Sequence, residues 1–531
     1  MRSVSEGLAT TFRVLAETDN EAAVRVLITA LDSPYPSIQE AALKAILARR
    51  SPAGGRELLA RLHTMPESWI TAIRQQSGRM TGPLRDALLS GKGQLCINAS
   101  RAAIWFREYE LIPTLLAVLE DRAQENTDLA AETLTRLVAQ LYEDLAGSGK
   151  DTRRRDPRLV LSHVLGSLES SVQRFSQHKR REVIDAFLLL VGRDNVTLMQ
   201  ILQDPHHPTF LPMVDTLSRN TSGGVVRLLL GCLDDAHPPS TVLSVISKRT
   251  DLKFVQHLLH KVGRRPSDVA IQNLKRIKSI GWLQRGGEFL DRLDEAAQHG
   301  AVRLVMTVNV SRLDAFAVVE HLLLRGKIAA RRQAAVALSE FPGVDANALA
   351  VRALNDPDPQ VQANAAAQLR QRGIPGVLPR LVQMVDSPHA VVRKAARESL
   401  NEFTFSRFVS AFDMLDDEVR QSTGRLVKKI DLQTVPLLQQ EMESPLRTRR
   451  LRGLAIARTL DLMEELEEEI TELLYDEDHL VRGEAAASLG EIGTPTSRLA
   501  LQRALGDSSV AVQEAARRSL EHQTRSIPAR T

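Results

Sequence analysis

Apolar residues recur at three- and four-residue intervals over almost the whole chain, the period of one helix face. No run alternates convincingly with period two, so strands are not predicted. In the C-terminal half one pattern returns: a short Asp/Pro turn, a branched apolar residue, then alanines on the helical period. It reads LNDPDPQVQANAAAQL from Leu354, MVDSPHAVVRKAARESL from Met384, LYDEDHLVRGEAAASLG from Leu474 and LGDSSVAVQEAARRSL from Leu505. The apolar residue opening each helix is Val361, Val392, Val481 or Val512, and both adjacent pairs are 31 residues apart. Weaker copies fall at Ala330, Val419 and Leu451, and LDSPYPSIQEAALKAI places Ile38 in the valine position near the N-terminus.

Each part of the unit has a physical role. Turn Asp, Ser and Asn oxygens accept from unpaired N–H groups at a helix start. Proline fixes φ in the turn, and Pro34, Pro357 and Pro388 each precede the apolar residue by four. The alanines, such as Ala365–Ala367 and Ala485–Ala487, let neighbouring helices approach closely. A second helix starts near an apolar–Pro step, as at Ile112–Pro113, Leu211–Pro212, Leu378–Pro379 and Val435–Pro436. Two short helices cannot close a core alone. They bury their apolar faces against the next pair, which predicts an all-α fold, an α-solenoid built as a superhelix of stacked helical hairpins.

The turn–Val–Arg–x–x–Ala–Ala pattern resembles HEAT repeats of the armadillo/HEAT type, specifically the short, roughly 30-residue version named after the phycobilin lyases. Arg393 and Arg482 match the basic residue after the valine; Asp356, Asp386, Asp476 and Asp507 match the turn aspartate within one position. The resemblance implies a ladder in which that arginine meets a turn aspartate of a neighbouring repeat. Gln362 and Gln513 stand where arginine is expected, so the ladder should be broken there. The resemblance is specific over residues 301–521 and 21–50.

The expected organisation is a helical HEAT-like region at 1–145, a linker at 146–157, degenerate helical repeats at 158–300, the repeat solenoid at 301–521 and a fraying tail at 522–531. Breaks at DPHHP (204–208), HPP (237–239) and GRRPSD (263–268) keep roughly a 30-residue interval.

Composition narrows the function. Hydrophobic residues make up 43% and charged residues 25%, which excludes intrinsic disorder. Two cysteines, Cys96 and Cys232, are too few for a disulfide framework and sit on apolar runs as buried thiols. No segment approaches a membrane span, and the N-terminus has no signal-peptide core, so a cytoplasmic protein is expected. Gly147-Ser-Gly-Lys150 is not a phosphate loop: Asp144 replaces its first glycine and Asp151 its Ser/Thr. His206–His207 beside Asp204 read as a solvated turn rather than metal ligands. With no nucleophile motif, no catalytic residue, cofactor, metal or small-molecule ligand is expected, and the chain is read as a non-enzyme.

Charge is the more telling feature. From Asp461 to Asp478 there are ten acids and no base, and Leu462, Leu466, Ile470 and Leu473 predict one amphipathic helix with an acidic outer face. A basic run, Arg447, Arg449, Arg450 and Arg452, precedes it. A solvated face partly paired to its neighbour is the ordinary reading. The sharper one is a partner surface made of Glu464, Glu465, Glu468, Glu469, Glu472, Arg447, Arg449 and Arg450. Basic clusters also occur at Arg153–Arg155, Lys179–Arg181, Lys275–Lys278, Arg331–Arg332 and Arg393–Lys394. Some HEAT-like proteins, the alkylated-base DNA glycosylases among them, follow DNA along such a wall. A net charge of only +4 and 4% aromatics weigh against a nucleic-acid partner. The expected function is a non-catalytic protein-binding scaffold, with a nucleic-acid-associated scaffold as the alternative. A bilin lyase-like subunit is third, implied only by the repeat's family name.

Overall fold

The computed structural model describes residues 6–75, 78–147 and 157–525. Among them are 34 α-helices, six short 3-10 turns and no strand, so the chain is all-α. It divides into two compact units at Val318/Val319. The helix Glu295–Thr307 runs through the boundary expected at 300/301. At the other end, the helix Val510–Arg525 takes in the first residues of the expected tail, and Gln523 is buried.

In the second unit the hairpins pair as the pattern predicts: Val344–Ala353 with Pro359–Leu369, Val377–Met384 with Ala390–Ser399, Thr434–Met442 with Arg447–Thr459, Pro495–Ala504 with Val510–Arg525. Val361, Val392, Val481 and Val512 are buried, as are Ala365, Ala366, Ala396, Ala485, Ala486 and Ala516. Side-chain caps start the helices. Asp358 accepts from the N–H groups of Gln360 and Val361 at 3.0 and 3.1 Å, and Asp416 accepts from that of Val419 at 2.9 Å. One apolar core, from Phe405 and Leu438 through Leu466 and Leu489 to Leu501 and Ala516, runs through successive hairpins. No hairpin has a core of its own, which is the signature of a solenoid.

The first unit stacks hairpins too, but ties them differently. Buried amides and guanidinium groups reach the carbonyls left open at the end of an earlier helix. Asn98 Nδ2 donates to Leu59 O at 2.8 Å, Asn273 Nδ2 to Leu233 O at 3.0 Å, and Arg249 Nη1 to Leu217 O at 2.9 Å. These partners are 32 to 40 residues apart, close to one repeat. Helices pack closely where glycine allows it. A Cβ on Gly300 would stand 2.0 Å from Leu259 O, and one on Gly263 would stand 3.4 Å from the Gly300 Cα.

Candidate functional site

The same intra-repeat turn recurs five times in the second unit and once near the start of the first. Its first residue is Ser33, Asp356, Ser387, Ser444, Asp476 or Asp507. In each case the side-chain oxygen accepts from the N–H two residues on, at 2.8 to 3.3 Å. The same residue's carbonyl accepts from the side chain six residues on: Gln39, Gln362, Arg393, Arg450, Arg482 and Gln513 donate at 2.7 to 2.9 Å. Glutamine thus makes the bond within its own turn as well as arginine does. The longer, forked guanidinium can in addition reach the next repeat. Arg450 pairs with Asp476 at 2.7 Å and Arg482 with Asp507 at 2.8 Å, while Arg331, one hairpin earlier, pairs with Asp356 at 3.0 Å. Arg482 makes the rung expected of it, and Arg450 and Arg331 make two more; Arg393, also expected in the ladder, donates instead to Ser387 O and Pro388 O of its own turn.

The turn chemistry also corrects the register. The residue equivalent to Asp356 and Asp476 is Ser387, not Asp386, whose carboxylate pairs with Lys429 instead. In the Arg447–Thr459 hairpin, Arg449 rather than Leu451 occupies the valine place, because Arg450 bonds Ser444 O. Val419 is exposed, and its hairpin makes no such turn bond. Phe405, Phe408 and Phe412 fill that stretch, and Arg420 lies 4.7 Å from the centre of the Phe412 ring.

The acidic run is not one helix. Asp461 takes a left-handed φ of 54°, turns follow, and only Glu467–Glu472 is α-helical before a 3-10 turn at Leu473–Tyr475. Seven carboxylates between Asp461 and Glu472 disfavour a longer helix by mutual repulsion. The buried stripe survives because the turns still aim Leu462, Leu466, Ile470 and Leu473 inward.

The eight candidate residues separate into two groups. The arginines are committed inside the unit. Arg447 pairs with Asp478 at 3.2 Å, Arg449 with Glu441 at 2.7 Å, and Arg450 is only 7% exposed, so it belongs to the ladder and not to a surface. Among the glutamates, Glu469 accepts from Gln439 Nε2 and Glu465 lies 3.7 Å from Lys428 Nζ. Glu464, Glu468 and Glu472 stand exposed beyond these pairs. Sequence reasoning passed over a second feature: the turns carry exposed apolar side chains, Met414, Leu446, Tyr475 and Val510. Their signal is an apolar residue inside an Asp/Ser turn, outside the helical period.

The remaining candidates resolve into structural roles. Asp204 accepts from the His206 N–H at 2.9 Å and His207 Nδ1 from the Thr209 N–H at 3.1 Å, so this trio orders a turn. Cys96 and Cys232 are buried free thiols; burial, then Asp235, pushes the Cys232 thiol up to about 12. Asp144 receives Arg107 and the Tyr109 hydroxyl, while Ser148–Lys150, Asp151 and Arg153–Arg155 lie outside the described residues. Arg331 and Arg332 are neutralised by Asp356 and Asp358. Among the described residues no group of three or more His, Cys, Asp or Glu could hold a metal, and no helix is long and apolar enough to cross a membrane. An open groove of about 440 Å³ lies between Ile112–Glu120 and Pro157–Gln173, but Glu120 and Arg174 in its wall pair with each other at 2.9 Å.

With ladder, turns and stacked hairpins in view, the class is defined: residues 317–401 and 432–521 match the family model for HEAT repeats. The second unit is therefore built of HEAT repeats, and the unmatched stretch between them is the aromatic hairpin that lacks the turn bonds. No curated protein matches the chain. Among solved structures it is similar to human deoxyhypusine hydroxylase in complex with glycerol (16% identity, covering 53% of this chain and 98% of that one, TM-score 0.19). It is also similar to yeast importin-beta (13%, 97% and 76%, TM-score 0.22) and to Pds5 in the Pds5–Scc1 complex (12%, 98% and 82%, TM-score 0.28). Likenesses at this level carry no function across.

Proposed function

We propose that the chain is a non-catalytic, cytoplasmic HEAT-repeat scaffold that binds another protein, and that Glu464, Glu465, Glu468, Glu469 and Glu472 contribute to the docking surface. One observation carries the reading: Glu464, Glu468 and Glu472 remain exposed while the neighbouring Arg447, Arg449, Arg450 and Arg452 are all drawn to other carboxylates. Glu468 and Glu472 are four apart on one helix, a like-charge spacing that costs a few tenths of a kcal/mol. A basic partner would relieve that repulsion. The paired arginines support the surface by holding its turns and do not themselves bind.

The test is affinity capture with the full chain and with the Glu464→Lys/Glu468→Lys/Glu472→Lys variant. These side chains stand in water, so the variant keeps its helical signal. A partner captured by the native chain, released by moderate salt and lost from the variant is the expected result. Equal capture by both removes the acidic surface from the proposal.

A further inference from the structure

Second helices of successive hairpins meet along one stripe. The ladder arginine and the residue four positions later share it. Arg482 reaches Asp507 of the next hairpin at 2.8 Å, and the carbonyl of Ala486 accepts from Ser519 Oγ of that hairpin at 3.0 Å. Where another hairpin stacks in register, the later residue is apolar and sealed: Ala335, Ala366, Leu454 and Ala486 are 0% exposed. In Val510–Arg525, on which no described helix stacks, the same place is held by exposed Arg517.

The helix Ala390–Ser399 breaks this rule inside the unit. Its residue at the stacking place is Arg397, four after Arg393, and Arg397 Nε is buried with no hydrogen-bond partner. Other observations fall on the same junction. Arg393 spends its donors on Ser387 O and Pro388 O, both at 2.9 Å, and sends no rung forward. Among the described residues, the apolar core that ends at Ala516 takes in nothing before Phe403. Glu402 is held back by Arg370 at 2.6 Å, while Phe403 packs forward on that core. The pair that bridges the gap, Lys429 with Asp386, is 35% and 66% exposed and adds little rigidity.

In a solenoid the angle between neighbouring hairpins is fixed by the face they share. Here that face carries no rung and a guanidinium nitrogen cut off from water, which opening would let water satisfy. We propose that residues 319–402 and 403–525 form two stacks that swing about a hinge at Glu402–Phe403, opening at the Arg397 face without unfolding. Glu464, Glu468 and Glu472 ride on the second stack, so the hinge sets their distance from anything held by the first. The inference goes beyond the scaffold reading and stands whether or not those glutamates bind.

The test measures spin-label distances in the full chain, whose own Cys96 and Cys232 are buried. One labelled pair, Val391→Cys with Glu418→Cys, spans the hinge. The other, Thr448→Cys with Leu480→Cys, spans the Arg450–Asp476 rung. All four sites are exposed, so the fold is not at stake. The distance distribution across the hinge is expected to be at least about twice as wide as that across the rung. Arg397→Ala restores the residue type of the stacked hairpins and is expected to narrow the hinge distribution alone. Equal widths for the two pairs overturn the proposal: if both are narrow the junction is rigid, and if both are broad the stack is pliant throughout. A hinge distribution that Arg397→Ala leaves as wide as before overturns it too.

Discussion

The side chains of Arg450 and Asp476 are only 8% and 6% exposed, and they pair with each other across neighbouring repeats. Removing one partner leaves the other charge stranded, which in buried pairs costs about 3–5 kcal/mol. Arg447, with a side chain 52% exposed, makes a surface pair worth less than about 1 kcal/mol. Arg450→Ala should therefore lower the urea midpoint far more than Arg447→Ala, although the two lie one turn apart on the same helix. Acid acts on the Arg482–Asp507 rung and on the Arg332–Asp358 pair. Hydrogen bonding to Arg482 holds the Asp507 carboxyl below its usual range, and bonding to Arg332 does the same for Asp358. A carboxylate depressed in the folded state stabilises above its unfolded value of about 3.9 and loses that contribution as pH falls through the folded value. The urea midpoint should be flat from pH 7 to 5 and fall below about pH 4. Asp507→Asn should start lower and fall less steeply.

Helices in the first unit depend on what is missing from them. Gly300 and Gly263 let Glu295–Thr307 and Leu252–Gly263 meet backbone to backbone. Gly300→Ala must push them apart, an overpacking expected to cost about 1–3 kcal/mol and to show as a lower melting temperature. Half-buried Gly483, with nothing within 4 Å of an added Cβ, should gain slightly from the same change. Elements of this kind were partly legible beforehand. The valine–alanine faces announced themselves through period, because burial on one side of a helix fixes residue type at each turn. Asp461–Asp478 did not, since its inward leucines keep helical spacing while its backbone turns at Asp461. Periodicity reports which side chains go inside, and repulsion among carboxylates left no mark on it. The partners of Arg449 and Arg450 were hidden for a related reason: they lie 8 and 26 residues away, and a stretch of like charge looks free until its neighbour is in place.

At the scale of the whole molecule, stability is shared between neighbours. Residues 494–525 cover the face of His479–Ile492 that carries Ala485, Ala486 and Leu489, and Ser519 Oγ closes the contact on Ala486 O at 3.0 Å. Ending the chain at Gly493 should expose that face and broaden the urea transition as hairpins are lost in turn from the new end, which fluorescence of an environment-sensitive dye would follow. The two units carry different balances: residues 1–318 hold 41 basic and 35 acidic residues, and residues 319–531 hold 28 and 30. Salt should therefore affect capture through the second unit more than the mean charge of the chain suggests.

Every rung of the ladder points the same way, from an arginine to an aspartate 25 or 26 residues later. The unit consequently has a grammar of succession: a hairpin that carries the rung arginine ends by asking for another of its kind. A tandem duplicate of residues 476–506, inserted after 506, would meet the waiting guanidinium of Arg482 with its own first aspartate and hand Asp507 a fresh arginine in return. Lengthening by gene duplication is thus written into the spacing, and a reversed copy would find no hand to hold.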